Sequence, residues 1–540
     1  MDSPRRTTTG RLRRWAFGLV VAALLAGMAV AMITTAVEQT PTIDEPVYVG
    51  TAVVYLQQHS LRYNPEHPPL GKLIIATGLA FADVHLDPAF DGDQSQLGRR
   101  VLYESGNDPA RLLLLARLPV IVLTLLFGLV VFLFARDLAG PVGGLAALAL
   151  YAFSPDVIAN GSLATLDVPV AGFVLTSAWL LWRARDRPGL YLPLAGLAFG
   201  AALATKMSAL AAVPVLPPLV VLSVRHARRD GSSRIAGSVA AVAGVALIAI
   251  AVVWISYLAV DPRLRWATPP DLPAVHGLGV LGDWLPLPQP YRDGLHVQFG
   301  FEDQVWGGFL FGRLYFGALW YYLPAALLVK TPLGALALGL AGAVVLVAVR
   351  QLRPAAPYVL VPAAVLLIAA MTGSRDLGVR YVIFVPMFLA IAAAGVVAIR
   401  RRWAYAAVAV LTGFAAVSSL RTFPYYLPYS NEAFGGPAET HLRLHDSNVD
   451  WGQDLGRLAD RLRQRYPGER VWLVYKGSGV PPSYGITAAD PLTAPAGQVH
   501  GLLVVSDSAA VKADDRLRAL IGGSTPIDEV GHSITIYRRP

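Results

Sequence analysis

The sequence predicts a mainly α protein, a polytopic membrane helix bundle of about 11 transmembrane helices with a small extracytoplasmic α/β domain at its C-terminal end. Three observations predict it. Of 540 residues, 55% are hydrophobic and 15% charged, with a mean hydropathy of +0.50, where a typical soluble domain carries roughly 25% charged residues. The charges that do occur punctuate apolar runs close to the length a helix needs to cross hydrocarbon, about 20 residues. After residue 420 the pattern changes to short strand-like runs separated by polar helices. Too few polar side chains remain to coat several soluble cores, which excludes a soluble multidomain enzyme, a disordered chain and a fibrous one.

The apolar runs lie at 15–37, 118–135, 138–155, 168–182, 190–205, 207–224, 235–260, 331–349, 354–374, 381–399 and 403–420. The first is too long and too uniformly apolar for a removable leader and reads as an anchor. Arginines collect in alternate loops: Arg5, Arg6, Arg11, Arg13 and Arg14, then Arg136, then Arg183 to Arg187, then Arg225 to Arg234, then Arg350 and Arg353, then Arg400 to Arg402. The positive-inside rule puts that side, with the N-terminus, in the cytoplasm, and eleven crossings put the C-terminal segment outside. The surplus of 45 Lys and Arg over 36 Asp and Glu therefore reports topology and gives no reason to invoke nucleic acid. Zero cysteines excludes disulfides and thiolate metal sites.

Two further apolar runs, 68–82 and 314–329, are short and read as interfacial or re-entrant; the first opens on Pro68-Pro69 and contains Lys72. Residues 1–420 then form the membrane domain, with outward loops at 38–117 and 261–330. Residues 421–540 form the α/β domain, with strands at 472–475, 502–505 and 534–537 and helices at 453–466 and 509–520.

Polar residues gather at the outer ends of the spans. Asp44 and Glu45 follow the first, and such a pair reads either as solvated headgroup-level charge or as a carboxylate general base. His67 and Lys72 flank Pro68-Pro69 at the depth of a lipid phosphate, where a lone cation also serves as an anchor. Arg117, Asp167, Lys206, Lys330, Arg375, Asp376 and Arg380 lie on the same side. Ionisable residues at membrane depth are costly and mark functional sites. Acids and cations together suit an anionic lipid head and proton transfer.

The Asp44-Glu45 pair followed by His67-Pro68-Pro69-Leu70-Gly71-Lys72 resembles the protein O-mannosyltransferases of glycosyltransferase family 39. It is also similar to the lipid A aminoarabinose transferases, which share the membrane-embedded GT-C fold. Arg117-Leu118-Pro119, Asp167-Val168-Pro169, Lys330-Thr331-Pro332 and Gly378-Val379-Arg380-Tyr381 continue the resemblance, and the stretch from Tyr429 through Asp446-Ser447-Asn448-Val449-Asp450-Trp451-Gly452-Gln453-Asp454 looks like a bacterial branch. It covers about 40–455. The resemblance implies a multi-pass enzyme of the bacterial cytoplasmic membrane that transfers a hexosyl or pentosyl group from a polyprenyl-phosphate-linked sugar to a glycan, lipid or protein acceptor, with inversion. It implies Asp44 as general base, Glu45 as its neighbour, Asp167 as a second acid, and His67, Arg117, Lys206, Lys330 and Arg380 toward the lipid phosphate. The 261–330 loop is too short for the β-trefoil domain of the eukaryotic members. A divalent metal is left open. Asp446, Asp450 and Asp454 are spaced like chelating acids but lack the glycine grammar of a calcium loop, so capping of the 453–466 helix is the expected role. The rival classes are a transporter or flippase of lipid-linked intermediates, which would show internal repeats and mid-bilayer charges, and a catalytically silent scaffold.

Overall fold

The computed structural model describes residues 8–227, 234–274, 282 and 284–540. Arg5, Arg6, Arg228, Arg229 and Asp230, which contribute to the orientation argument, lie outside the described residues.

The chain runs through α1 (Thr8–Glu38), α2 (Glu45–Gln58), α3 (Pro69–Leu79) and α4 (Gln94–Arg99) into the long α5 (Pro109–Ala152). Helix α5 breaks at Gly140, whose φ of 75° and following Pro141 stop one helix and start another. The bundle continues with α6 (Pro155–Gly161), α7 (Asp167–Arg183), α8 (Pro188–Thr205), a 3-10 stretch (Met207–Val215) leading into α9 (Leu216–Ala227), and α10 (Arg234–Val260). Next come α11 (Gln289–Glu302) and a hairpin of β1 (Gly307–Leu310) and β2 (Arg313–Phe316), whose turn residues Phe311 and Gly312 both have positive φ. Helices α12 (Tyr322–Lys330), α13 (Leu333–Ala348), α14 (Ala356–Ala370), α15 (Phe384–Val397) and α16 (Arg402–Thr422) complete it.

Each of the eleven apolar runs is largely helical. Among the described residues, six helices are individually long and apolar enough to cross a membrane, and α12 with α13, bent by 119° at Thr331-Pro332, would make a seventh. The difference from eleven is one of length. Helix α5 holds two of the runs on either side of its break, and α7, α14 and α15 have only 17, 15 and 14 residues. Helix α7 opens directly on Asp167, and a 3-10 turn (Val379–Val382) replaces the first turn of the run leading into α15. These unwound ends deliver ionisable side chains to the bundle interior. Small residues let the helices approach. A Cβ on Gly342 of α13 would lie 2.0 Å from the Ala392 carbonyl oxygen of α15.

The C-terminal part is a five-stranded sheet in the order β4-β3-β5-β7-β6, built from β3 (Val471–Val474), β4 (Ala488–Ala489), β5 (Gly501–Ser506), β6 (Thr525–Val530) and β7 (Ile534–Arg539). β3 pairs in parallel with β4 and β5, and β7 is antiparallel to β5 and β6. Alternation along β5 sends Leu502 and Val504 toward α17 (Leu455–Arg465). It sends Leu503 and Val505 to the opposite core, with α19 (Asp515–Gly522). The expected strands are β3, β5 and β7. The expected 509–520 helix is divided into α18 (Asp507–Val511) and α19, because Asp514 caps a new start by accepting from the Leu517 amide at 2.7 Å. Polar, edge-lying β6 and two-residue β4 gave no sequence signal.

Residues 424–454 form neither sheet nor long helix. They pack Tyr426, Leu427, Leu444, Val449 and Trp451 into the same core as the membrane helices. This strap meets the sheet domain through Asp450, whose carboxylate accepts from the amides of Gly452 at 3.2 Å and Ser508 at 3.1 Å. Burial pushes its carboxyl up to about 7, against the opposing pull of Lys476. A carboxyl raised in the folded state stabilises fully below its unfolded value near 4 and loses that contribution as pH rises through 7. The thermal midpoint of the purified chain should therefore fall between pH 5 and pH 8, and Asp450→Asn should flatten the fall. An unaltered profile in the variant would contradict this burial.

Candidate active site

The site is built on the turn between α1 and α2. Glu45 is fully buried and bonded through both carboxylate oxygens to Arg117 of α5, to Nε and Nη2 at 2.7 Å each. It also accepts from the Thr42 amide at 2.9 Å, the Thr42 hydroxyl at 3.0 Å and the Ala164 amide at 2.8 Å. The remaining donors of Arg117 go to the carbonyls of Ala36 (2.6 Å), Gln39 (2.8 Å) and Thr40 (3.1 Å). All five N–H groups of the guanidinium are thus used inside the chain. Arg117, expected at the lipid phosphate, has no donor left for one here. The reason is topological, since it closes the end of α1 onto α2.

Lys330 is sealed in the same way. Its ammonium donates to the carbonyls of Leu427 at 2.5 Å and Asn448 at 3.0 Å, with Asp156 at 3.4 Å. Lys72 of α3 donates to Asn64 O, Asn64 Oδ1 and His67 O at 2.7, 3.1 and 2.6 Å, clasping the loop that carries His67.

The neighbouring acid is placed differently. Asp44 stands at the N-cap position of α2 but makes no capping bond. Its carboxylate, 26% exposed, faces Arg380, with Nη1 2.5 Å from Oδ2. The same nitrogen lies 4.0 Å from Asp167 Oδ2, and Lys206 Nζ is 2.6 Å from Asp167 Oδ1. The four side chains come from four interrupted helix ends: the start of α2, the start of α7, the extended residue that ends α8, and the 3-10 turn before α15. The Arg380 guanidinium lies 4.2 Å from the Trp451 ring and 4.9 Å from the Tyr381 ring, and its Nη2 donates to the Tyr381 hydroxyl at 3.3 Å. Its Nε and the Oδ2 of Asp167 are buried without a hydrogen-bond partner. Each leaves a bonding position that water or a ligand can complete.

His67 lies beside this cluster, its ring 6.1 Å from that of Tyr48 and its Nδ1 unbonded. Burial, then the nearby Lys206, Lys72 and Arg375, hold its pKa well below the usual imidazole value, so it is a neutral polar group at pH 7. Arg375 is occupied by Glu302 (2.6 and 2.9 Å), and Asp376 by the Tyr315 hydroxyl at 2.8 Å and the Leu319 amide at 2.9 Å.

Of the expected residues, the structure brings together Asp44, Asp167, Lys206 and Arg380, with His67 adjacent, and it sets Glu45, Arg117 and Lys330 into structural ties. Tyr48 and Trp451 were not singled out from the sequence. Tyr48 sits one helical turn beyond Asp44, and Trp451 stands inside the acidic motif that ends the strap. Among the described residues no group of three His, Asp or Glu is arranged to hold a metal ion. Asp446 pairs with Lys476, and Asp450 bonds amides as described. Asp454, expected to cap its helix, makes no side-chain cap because its carboxylate is taken by Ser533, Gln453 and Arg457.

Residues 21–261 match the family model of the dolichyl-phosphate-mannose-protein mannosyltransferases. That stretch contains Asp44, His67, Asp167 and Lys206. The motif resemblance thus has an independent counterpart. Among solved structures, the chain is similar to ArnT from Cupriavidus metallidurans in the apo state, at 15% identity over 98% of both chains with a TM-score of 0.49. It is similar to the same protein bound to undecaprenyl phosphate at 14% identity, again over 98% of both chains, with a TM-score of 0.48. The S. cerevisiae protein O-mannosyltransferase Pmt1-Pmt2 complex bound to the sugar donor is matched over 46% of this chain and 33% of that one, at 18% identity and a TM-score of 0.35. No curated protein sequence matches the chain.

Removing one partner of a buried ion pair leaves an uncompensated charge and costs about 3–5 kcal/mol. Arg117→Met should sharply lower the thermal midpoint and yield of folded protein in detergent, and adding Glu45→Gln should recover part of the loss. A single variant as stable as the parent would contradict the clamp.

Proposed function

We propose that the chain transfers a sugar from a polyprenyl-phosphate carrier to an acceptor hydroxyl at the outer face of the bacterial cytoplasmic membrane, with inversion at the anomeric carbon and Asp44 as general base. The observation that carries this reading is the cluster of two acids and two cations at a common level, Asp44–Arg380 and Asp167–Lys206, with an unused donor on Arg380 and an unused acceptor on Asp167. The family match over 21–261 supports it.

In this mechanism the phosphate of the incoming donor competes with Asp44 for Arg380. Arg380 turns its unbonded Nε and one Nη toward the phosphate, and Lys206 adds charge from the Asp167 side. The released Asp44 carboxylate accepts the proton of the acceptor hydroxyl as that oxygen bonds to the anomeric carbon. The bond from that carbon to the phosphate oxygen breaks, and the electron pair leaves with the polyprenyl phosphate. The two cations stabilise the charge that develops there. Neutral His67 offers a hydrogen bond without adding charge. Asp167 keeps Lys206 aimed at the site and presents its free Oδ2 to a sugar or acceptor hydroxyl. Glu45 cannot exchange roles with Asp44, because both its oxygens are fixed by Arg117 and backbone amides. The donor is a hexosyl or pentosyl phosphate lipid and the acceptor a glycan, lipid or protein. The N-terminus lies in the cytoplasm and the sheet domain outside.

Asp44→Asn should insert and fold, since the side chain makes no capping bond, its amide oxygen can still accept from Arg380, and Asp167 remains 4.0 Å from the same nitrogen to balance the charge. General-base catalysis contributes roughly 100- to 10,000-fold, so transfer from a labelled polyprenyl-phosphate sugar in native membranes should fall by at least about a hundredfold. Parental transfer rates in that variant would overturn the assignment.

A further inference from the structure

Residues 446–454 of the strap carry an acidic, tryptophan-centred motif that the proposed reaction does not use. Its Trp451 is 1% exposed, bonds the chain next to Asp44 through its backbone and meets Arg380 with its ring. On one side, the Trp451 carbonyl accepts from the Ile43 amide at 3.1 Å, and the Gln453 carbonyl accepts from the Thr40 amide at 2.9 Å. The chain is therefore held immediately before Asp44. On the other side, the indole lies 4.2 Å from the Arg380 guanidinium. The strap also grips the turn that bears Arg380, since Ser447 Oγ donates to the Leu377 carbonyl at 2.7 Å and the Val379 amide donates to Asn448 Oδ1 at 3.0 Å.

The far side of the strap is fixed by the sheet domain. Tyr475 Oη donates to the Gly452 carbonyl at 2.6 Å, Ser508 Oγ donates to the Asp450 carbonyl at 3.0 Å, and Ser478 Oγ reaches past the strap to the Thr42 carbonyl at 2.8 Å. Gly452 has a φ of +89°, and a Cβ there would lie 2.7 Å from the Gly477 Cα. The closeness of strap and sheet thus requires a glycine at this position.

We propose that Trp451 is a positioning residue for the transfer reaction, holding the plane of Arg380 by its indole face while Arg380 exchanges Asp44 for the donor phosphate, and that the sheet domain's role is to fix Trp451. The inference rests on the transferase reading above. Its physical basis is that an aromatic face attracts a guanidinium without consuming an N–H. A carboxylate or carbonyl in the same place would occupy a donor that the phosphate needs. With the face in place, Arg380 can release Asp44 without losing its orientation, and its Nε stays available.

The test places singly, doubly and triply fluorinated tryptophan at position 451, alongside Trp451→Phe and Trp451→Leu. It reads kcat and KM for a labelled polyprenyl-phosphate sugar together with the thermal midpoint. Fluorine leaves the shape of the ring and drains its face of electron density, which a purely space-filling role would not register. Turnover should fall stepwise along the fluorine series at an unchanged midpoint. Trp451→Leu should lose about tenfold in kcat/KM, a factor within the range of a partly desolvated cation–π contact, and Trp451→Phe should retain most of it. A flat fluorine series, or Trp451→Leu as active as Trp451→Phe, overturns the inference. The parent and Asp44→Asn run in parallel. If the parent transfers sugar, Asp44→Asn does not and the fluorine series is flat, only the positioning role fails. Absence of transfer by the parent overturns the role and the transferase reading together.

Discussion

The buried ion pair between Glu45 and Arg117 is the constraint on which the end of the bundle that carries the acidic and basic cluster depends. It joins the end of α1, the start of α2, the head of α5 and the loop before α7 at one point, and every hydrogen-bonding group of the pair that contributes to the join is satisfied within the chain. A buried pair of this kind contributes little net stability compared with apolar packing, but it is unforgiving of change. What it supplies is geometry. With Glu45 fixed, the adjacent Asp44 has one direction available, away from the clamp and toward Arg380. Two consecutive acids, chemically almost equivalent, are thereby divided into a sealed one and a partly exposed one.

The same division runs through the cations. Arg117, Lys330 and Lys72 spend their donors on carbonyls and carboxylates that hold loops together, whereas Arg380 and Lys206 bond acids that are themselves at the site. Arg380 keeps an unbonded Nε and lies beside two aromatic rings. The arrangement puts these charges together at the ends of interrupted helices.

Much of this was legible in the sequence. Scarce charge located the helices, and the few ionisable residues at span ends, with the resemblance they carry, named Asp44, Asp167, Lys206 and Arg380 before any coordinates. The strands β3, β5 and β7 followed from alternation of apolar residues. The sequence could not divide sealed cations from free ones, because Arg117, Lys330 and Arg380 look alike until their carbonyl partners, such as Thr40 for Arg117 or Leu427 for Lys330, are in space. It also missed Trp451. An indole in a loop reads as core, and its contact with an arginine 71 positions earlier has no periodicity to betray it. The hairpin at 307–316 and edge strand β6 escaped for a related reason, since exposed or half-polar strands carry no alternation.

The measurement that bears most directly on the account is a structure of the chain with a bound polyprenyl phosphate in a lipid environment. The phosphate should lie within hydrogen-bonding distance of Arg380 and Lys206, with the Asp44–Arg380 contact opened and the Glu45–Arg117 clamp unchanged. A phosphate seated instead on Arg117 or Lys330, with Asp44 still paired to Arg380, would contradict the account.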